Sequence, residues 1–130
     1  MSTHARATFE ITAWDEATYA EPADGPKLVR ATVRKIFRGD IEGQSTAELL
    51  MSQAQDGSAG YVAIERVSGT LQGRSGSFVL QHNGLMARGA GQLTITVVPD
   101  SGTDQLAGLA GTMAISIVDG DHFYDFAYTL

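Results

Sequence analysis

Hydrophobic and polar residues alternate along nearly the whole chain with a period of two, the mark of strands with one buried and one solvated face. Turn residues, mostly Gly or Asp-Gly, interrupt the alternation at the spacing of an all-β meander. The pattern predicts strands near 4–15, 28–38, 41–54, 60–71, 76–86, 90–98, 111–118 and 122–130. One segment competes, because Ser45-Thr46-Ala47-Glu48-Leu49-Leu50-Met51 consists of good helix formers. Its flanks, Gly39-Asp40 and Asp56-Gly57, are hairpin turns, so it reads as a strand. Irregular pieces at 21–26 and 99–111 do not look like linkers, and the chain reads as one domain over 1–130.

Each tight turn also fixes a register, and with it the face on which every residue lies. Asp56-Gly57 as a two-residue turn sets Glu48 directly opposite Glu65, and Gly39-Asp40 sets Ala31 opposite Glu48 and Val33 opposite Thr46. Gln72-Gly73 puts Leu80 opposite Glu65 and Phe78 opposite Val67. Arg88-Gly89 puts His82 opposite Ile95, and Asp119-Gly120 pairs Ile117 with His122 and Ile115 with Tyr124. Followed strand by strand, one face comes out apolar, from Phe9, Ile11, Val29, Val33 and Leu50 through Val67, Phe78, Leu80, Leu93, Ile95 and Val97 to Met113, Ile115, Ile117, Tyr124, Phe126 and Tyr128. Arg6, Glu10, Arg30, Arg34, Arg38, Arg66, Thr94, Thr96 and Asp125 collect on the other. Eight antiparallel strands with one apolar face close most simply into an up-and-down β-barrel, which removes exposed edges.

Composition narrows the function. A chain of 130 residues, 43% hydrophobic, can bury its own core. The absence of cysteine removes disulfides, a thiolate nucleophile and a Cys-based zinc site, and fits the expected reducing, cytoplasmic location. No apolar run approaches the ~18 residues of a membrane span, and no apolar leader precedes the first strand, so no membrane partner is expected. Nine basic against fifteen acidic side chains give a net charge of −6, which repels phosphate backbones and argues against nucleic acid.

The segment Gly102-Thr103-Asp104-Gln105-Leu106-Ala107-Gly108-Leu109-Ala110-Gly111 resembles the G-T-G-x-L-x-G-L-x-G connection of the allene oxide cyclase and dirigent type of eight-stranded barrel, with Asp104 in place of the second glycine. Nearly the whole chain, including Gly69 to His82 and the ending His122-Phe123-Tyr124-Asp125-Phe126-Ala127-Tyr128-Thr129-Leu130, is similar to an uncharacterised bacterial family assigned to those barrels. The resemblance implies a barrel with a ligand-sized interior and homo-oligomerisation. It implies no particular reaction, since fold does not carry function.

On the derived inner face Glu48 and Glu65 are cross-strand neighbours and His82 lies diagonal to Glu65. Two carboxylates in an apolar interior repel one another, so at least one is expected to hold its proton, which makes an acid–base pair. The expected chemistry is a cofactor-independent isomerase, cyclase or lyase step on a small apolar or amphipathic molecule, with His82, Tyr61 or Tyr124 donating to a developing oxyanion. Tyr61, Phe78, Leu80, His122, Tyr124, Phe126 and Tyr128 form the candidate ligand wall. A non-catalytic binding barrel and a structural oligomer with a filled interior are the competing expectations, and a cavity of about 300 Å3 separates them. The pattern predicts no metal, because no recognised ligand spacing occurs. Arg30, Arg34 and Arg38 read as a solvated outer face paired with Glu10 and Glu42. No Gly-x-Ser-x-Gly elbow and no phosphate loop are present.

Overall fold

Three two-residue turns set most of the architecture. Gln72-Gly73, Arg88-Gly89 and Asp119-Gly120 each hold both central residues in the left-handed region, with φ of 46° and 85°, 51° and 86°, and 51° and 83°. That geometry twists with the flanking strands, so antiparallel hairpins follow. In the computed structural model, which describes residues 2–55 and 57–130, eight strands close into a barrel in chain order. They are β1 Thr3–Ala20, β2 Lys27–Gly39, β3 Ile41–Gln55, β4 Ser58–Leu71, β5 Arg74–Ala87, β6 Ala90–Val97, β7 Ala110–Val118 and β8 Asp121–Thr129. β1 pairs with β8 to complete the ring. The three turns deliver the expected registers: Glu65 faces Leu80, His82 faces Ile95 and Ile115 faces Tyr124.

β3 is a strand, as expected, but it is turned over. Gly39-Asp40 does not close a two-residue hairpin, because the Asp40 backbone N–H bonds the Arg6 carbonyl (3.0 Å) and its carbonyl accepts from Gln72 (2.7 Å). The ladder therefore slips by one, and Val33 faces Ala47 and Ala31 faces Leu49, correcting the expected Thr46 and Glu48. At the other end Gln55 faces Ser58 but Gln53 faces Ala59, so Ala54 is an extra residue, a β-bulge. Asp56 of the expected turn lies outside the described residues. With an offset at each end, Ser45, Ala47, Leu49 and Met51 face inward, while Thr46, Glu48 and Leu50 face solvent. Leu50, expected inside, is 48% exposed.

The two barrel ends differ. One is filled by Phe37, Ile41, Leu71, Phe78, Phe126 and Tyr128. The connection from Val98 to Leu109 seals it, inserting Leu106 and Leu109, while Thr103 and Ser101 bond the β5 backbone at Ser77 and Val79. Asp104 stands at φ 53°, a backbone suited to the glycine of the pattern it departs from, and opens a 3-10 turn, Asp104–Leu106. Close strand approach shapes this end: a Cβ on Gly43 would lie 2.1 Å from the Ser68 carbonyl oxygen, and Gly43 faces Gly69. The other end is open. Ile11, Leu93 and Ile117 keep their inward register there but stand 48%, 43% and 65% exposed.

Candidate functional site

Lys35 and Glu65 arrive in the barrel's middle by simple alternation. On β2 the inward positions run Val29, Ala31, Val33, Lys35, Phe37, and on β4 they run Ala63, Glu65, Val67. A lysine and a glutamate thus replace apolar residues at buried positions, where burial is tolerable only with partners. Glu65 has a full set. Its Oε1 accepts from His82 Nε2 (2.7 Å) and Tyr124 Oη (3.2 Å), and its Oε2 accepts from Ser45 Oγ (2.6 Å). Lys35 Nζ lies 3.5 and 3.4 Å from the two oxygens and donates to Tyr124 Oη at 2.7 Å. Among the described residues no buried side-chain N or O lacks a partner.

These contacts fix the protonation pattern. Burial alone would raise the Glu65 pKa, but the His82 hydrogen bond, the Lys35 charge and the Ser45 hydroxyl outweigh it and lower the value to about 2. Glu65 is therefore an ionised acceptor, and His82 Nε2 carries the hydrogen that it receives. Burial pushes the Tyr124 phenol well above its ordinary value, and burial and the Glu65 charge raise Tyr61, so both remain O–H donors. The other ring nitrogen, His82 Nδ1, lies 3.5 Å from Tyr61 Oη.

Above this cluster is a hollow of about 240 Å3, with Lys35, Tyr61, His82 and His122 among its walls. The rest of its lining is apolar and includes Phe9, Ile11, Trp14, Val33, Met51 and Ile115. Trp14 reaches it because β1 bulges between Ile11 and Ala13, which switches the inward parity of the strand. Tyr61 lies across Gly84, whose missing side chain makes the room: a Cβ there would stand 2.4 Å from the ring. A second hollow of about 320 Å3 adjoins at the mouth, sharing Met51 and Tyr61.

Several expected site residues therefore separate. Glu65, His82 and Tyr61 meet, with Tyr124 buried beneath, and His122 joins the upper wall. Glu48 does not: the inverted β3 places it outside, accepting from Thr32 Oγ1 (2.9 Å) beside Arg30 (3.5 Å). The Glu48–Glu65 pair is thus replaced by a Lys35–Glu65–His82 cluster. Phe78, Leu80, Phe126 and Tyr128 are packed core; Phe126 stacks between Phe78 and Tyr128, whose hydroxyl bonds Gln72. Arg38 does pair with Glu10, as expected, whereas Arg30 meets Glu48. Lys35, Ser45 and Trp14 are not singled out by the sequence, and Phe9, expected on the inner face, is not expected in the ligand wall. For Lys35 the signal was present, since it shares the parity of Val29 and Val33.

The family model for DUF3224, described as a protein of unknown function, matches residues 5–128. Among curated proteins none matches the chain. Among solved structures it is similar to a crystal structure of a protein with unknown function from that family in Shewanella oneidensis MR-1. The two share 45% sequence identity with a TM-score of 0.94, over 100% of this chain and 98% of the other.

Proposed function

The chain belongs to the DUF3224 family, a family of unknown function, and we propose from the site itself that it is a small-molecule-binding barrel performing cofactor-independent proton transfer on a carbonyl compound. The observation that carries this reading is the buried Glu65–His82 pair at 2.7 Å in the wall of the hollow, with the second imidazole nitrogen 3.5 Å from the Tyr61 hydroxyl. Glu65 is too well bonded, and its pKa too low, to exchange protons itself. It fixes the imidazole and stabilises the cation formed when Nδ1 takes a proton from carbon, the role an orienting carboxylate plays toward a histidine base. The electron pair moves to the carbonyl oxygen. An ammonium has three hydrogens; Lys35 gives one to Tyr124 and shares another with Glu65, leaving the third for that oxygen, and the Tyr61 hydroxyl, which faces Nδ1 at 3.5 Å, turns to the same oxygen when the substrate carbon takes its place at Nδ1. Return of the proton to another carbon completes an isomerisation.

A non-catalytic binding barrel is favoured by one observation: each buried polar side-chain atom of the cluster finds at least one partner within the protein. We also propose a cytoplasmic bacterial setting, supported by the absence of cysteine and the Shewanella relative, and self-association through the exposed Leu50, Val62 and Ile64. The likeness to the allene oxide cyclase type rests on the 102–111 connection.

The test uses 2-tetralone in deuterium oxide, following loss of its α-hydrogen signals by NMR. The protein is expected to accelerate exchange beyond free imidazole at equal concentration, and His82→Gln to abolish the gain while circular dichroism stays unchanged. No acceleration, or an undiminished rate in His82→Gln, overturns the proton-transfer reading.

A further inference from the structure

We propose that this cavity takes a neutral carbonyl compound bearing one linear apolar chain and discriminates against both the corresponding carboxylate and the corresponding amine; the proposal rests on the ligand-binding part of the reading above. Three observations carry it, and each concerns a different part of the path a ligand would follow.

The first is the charge balance at the floor. Lys35 already has its counter-ion in Glu65, and the remaining polar groups around the hollow, Tyr61, His82 and His122, are phenol and imidazole groups that can form hydrogen bonds. A ligand carboxylate would bring a second anion into an apolar enclosure whose one ammonium, Lys35, is already paired with Glu65, and an uncompensated anion there is costly. A ligand ammonium would instead meet Lys35. A carbonyl oxygen needs only the donors that the floor has to spare.

The second is the entrance. Upper β1 brings Glu16 to the inward register opposite Ala31, where the Trp14 indole N–H donates to it at 2.9 Å. Asp15, Glu21, Asp24, Asp119 and Asp121 stand exposed at the same end, against Lys27 and Arg88. Such a rim repels an approaching anion within the ~8 Å over which exposed charges act at physiological salt.

The third is the second hollow. Apart from Gln92 its lining is apolar, glycine or tyrosine, with Met86 and Leu93 beside the bare backbone of Gly84 and Gly91 and no charged side chain. Across Tyr61 it continues the space above Lys35, so a polar head seated at Lys35 would leave a chain to run toward the mouth.

The experiment titrates nonan-2-one, nonanoate and nonylamine at pH 7, below their aggregation limits, following the fluorescence of Trp14, the single tryptophan. Nonan-2-one is expected to bind at least tenfold more tightly than either charged analogue. Among methyl ketones each added methylene should tighten binding roughly three- to fourfold until the chain reaches the rim. Gly91→Leu fills the second hollow at an exposed position where an added Cβ makes only ordinary contact, 3.6 Å from Met86. It should remove the chain-length dependence and keep the binding of short ketones. Nonanoate or nonylamine binding as tightly as the ketone, or no ketone binding at all, overturns the proposal. Ketone binding without α-hydrogen exchange upholds it and sinks only the proton-transfer step.

Discussion

Below Glu65 the barrel is filled, and above it the barrel is hollow. In the lower half, Phe37, Phe78, Phe126 and Tyr128 interlock, with Leu106 and Leu109 closing the end. In the upper half the same inward positions carry Ala59, Gly84 and Gly91 or stand exposed, as Leu93 and Ile117 do. One sheet therefore supplies both a core and a container, and the division follows side-chain volume, since the strands continue through both. Stability should reside in the lower half and ligand contact in the upper, with the Lys35–Glu65–His82 cluster as the boundary.

Truncating one large aromatic from each half should separate the two most strongly. Phe126→Ala should cost roughly 3–5 kcal/mol in urea denaturation, while Trp14→Ala, at 44% exposure, should stay within about 1 kcal/mol. Equal losses would mean that the open half also holds the fold. At the boundary, Glu65→Gln should cost on the order of 3 kcal/mol, because Lys35 is left buried without its counter-ion, and adding Lys35→Met should recover most of that loss. Failure of the second substitution to rescue the first would show that His82 and Ser45, and not the ion pair, govern the cost.

Acid should expose the same boundary. The Glu65 carboxyl is held at about 2 in the fold against an ordinary 4.5. A depressed folded value means a contribution fully present above the ordinary pKa and lost as pH falls from about 4.5 toward 2. Thermal midpoints measured from pH 7 to 2 should fall through that window in the parent and less steeply in the Glu65→Gln, Lys35→Met double variant. The smallest effect belongs to Glu48→Gln, which removes an exposed pair with Arg30 and should change stability by at most ~0.5 kcal/mol, with no change in ligand binding.

Much of this was legible in the chain, for reasons tied to particular residues. Where a turn took the geometry its two residues favour, as at Gln72-Gly73, arithmetic alone placed Glu65 against Leu80. The identification of Glu65 and His82 as interior neighbours came from that stretch and stands. β3 failed because its two ends obey tertiary demands. Asp40 is recruited by β1, and Ala54 is spare; neither leaves a mark in the local sequence. Two small offsets were enough to exchange Glu48 for Ser45 and Ala47 on the inner face. Lys35 shares the inward parity of β2, but a lysine beside Arg34 has the composition of a solvated position, and the partners that make its burial tolerable, Glu65 and Tyr124, are remote in sequence.

The ring of strands is closed, yet its seams are unequal. β6 and β7 pair through Ile95 with Met113 and Thr96 with Thr112, whereas β4 and β5 are zipped from Ala59 with Met86 to Leu71 with Arg74. A wall is as strong as its shortest seam, so a load that stretches the barrel open will part it between β6 and β7 first. Amide protons of residues 90–94 and 114–118 that point into that seam have no ladder partner across it and should exchange with water ahead of those in the β4–β5 ladder. Mechanically the molecule is a curled sheet held shut by a short clasp, and the clasp lies at the level where filled barrel gives way to hollow.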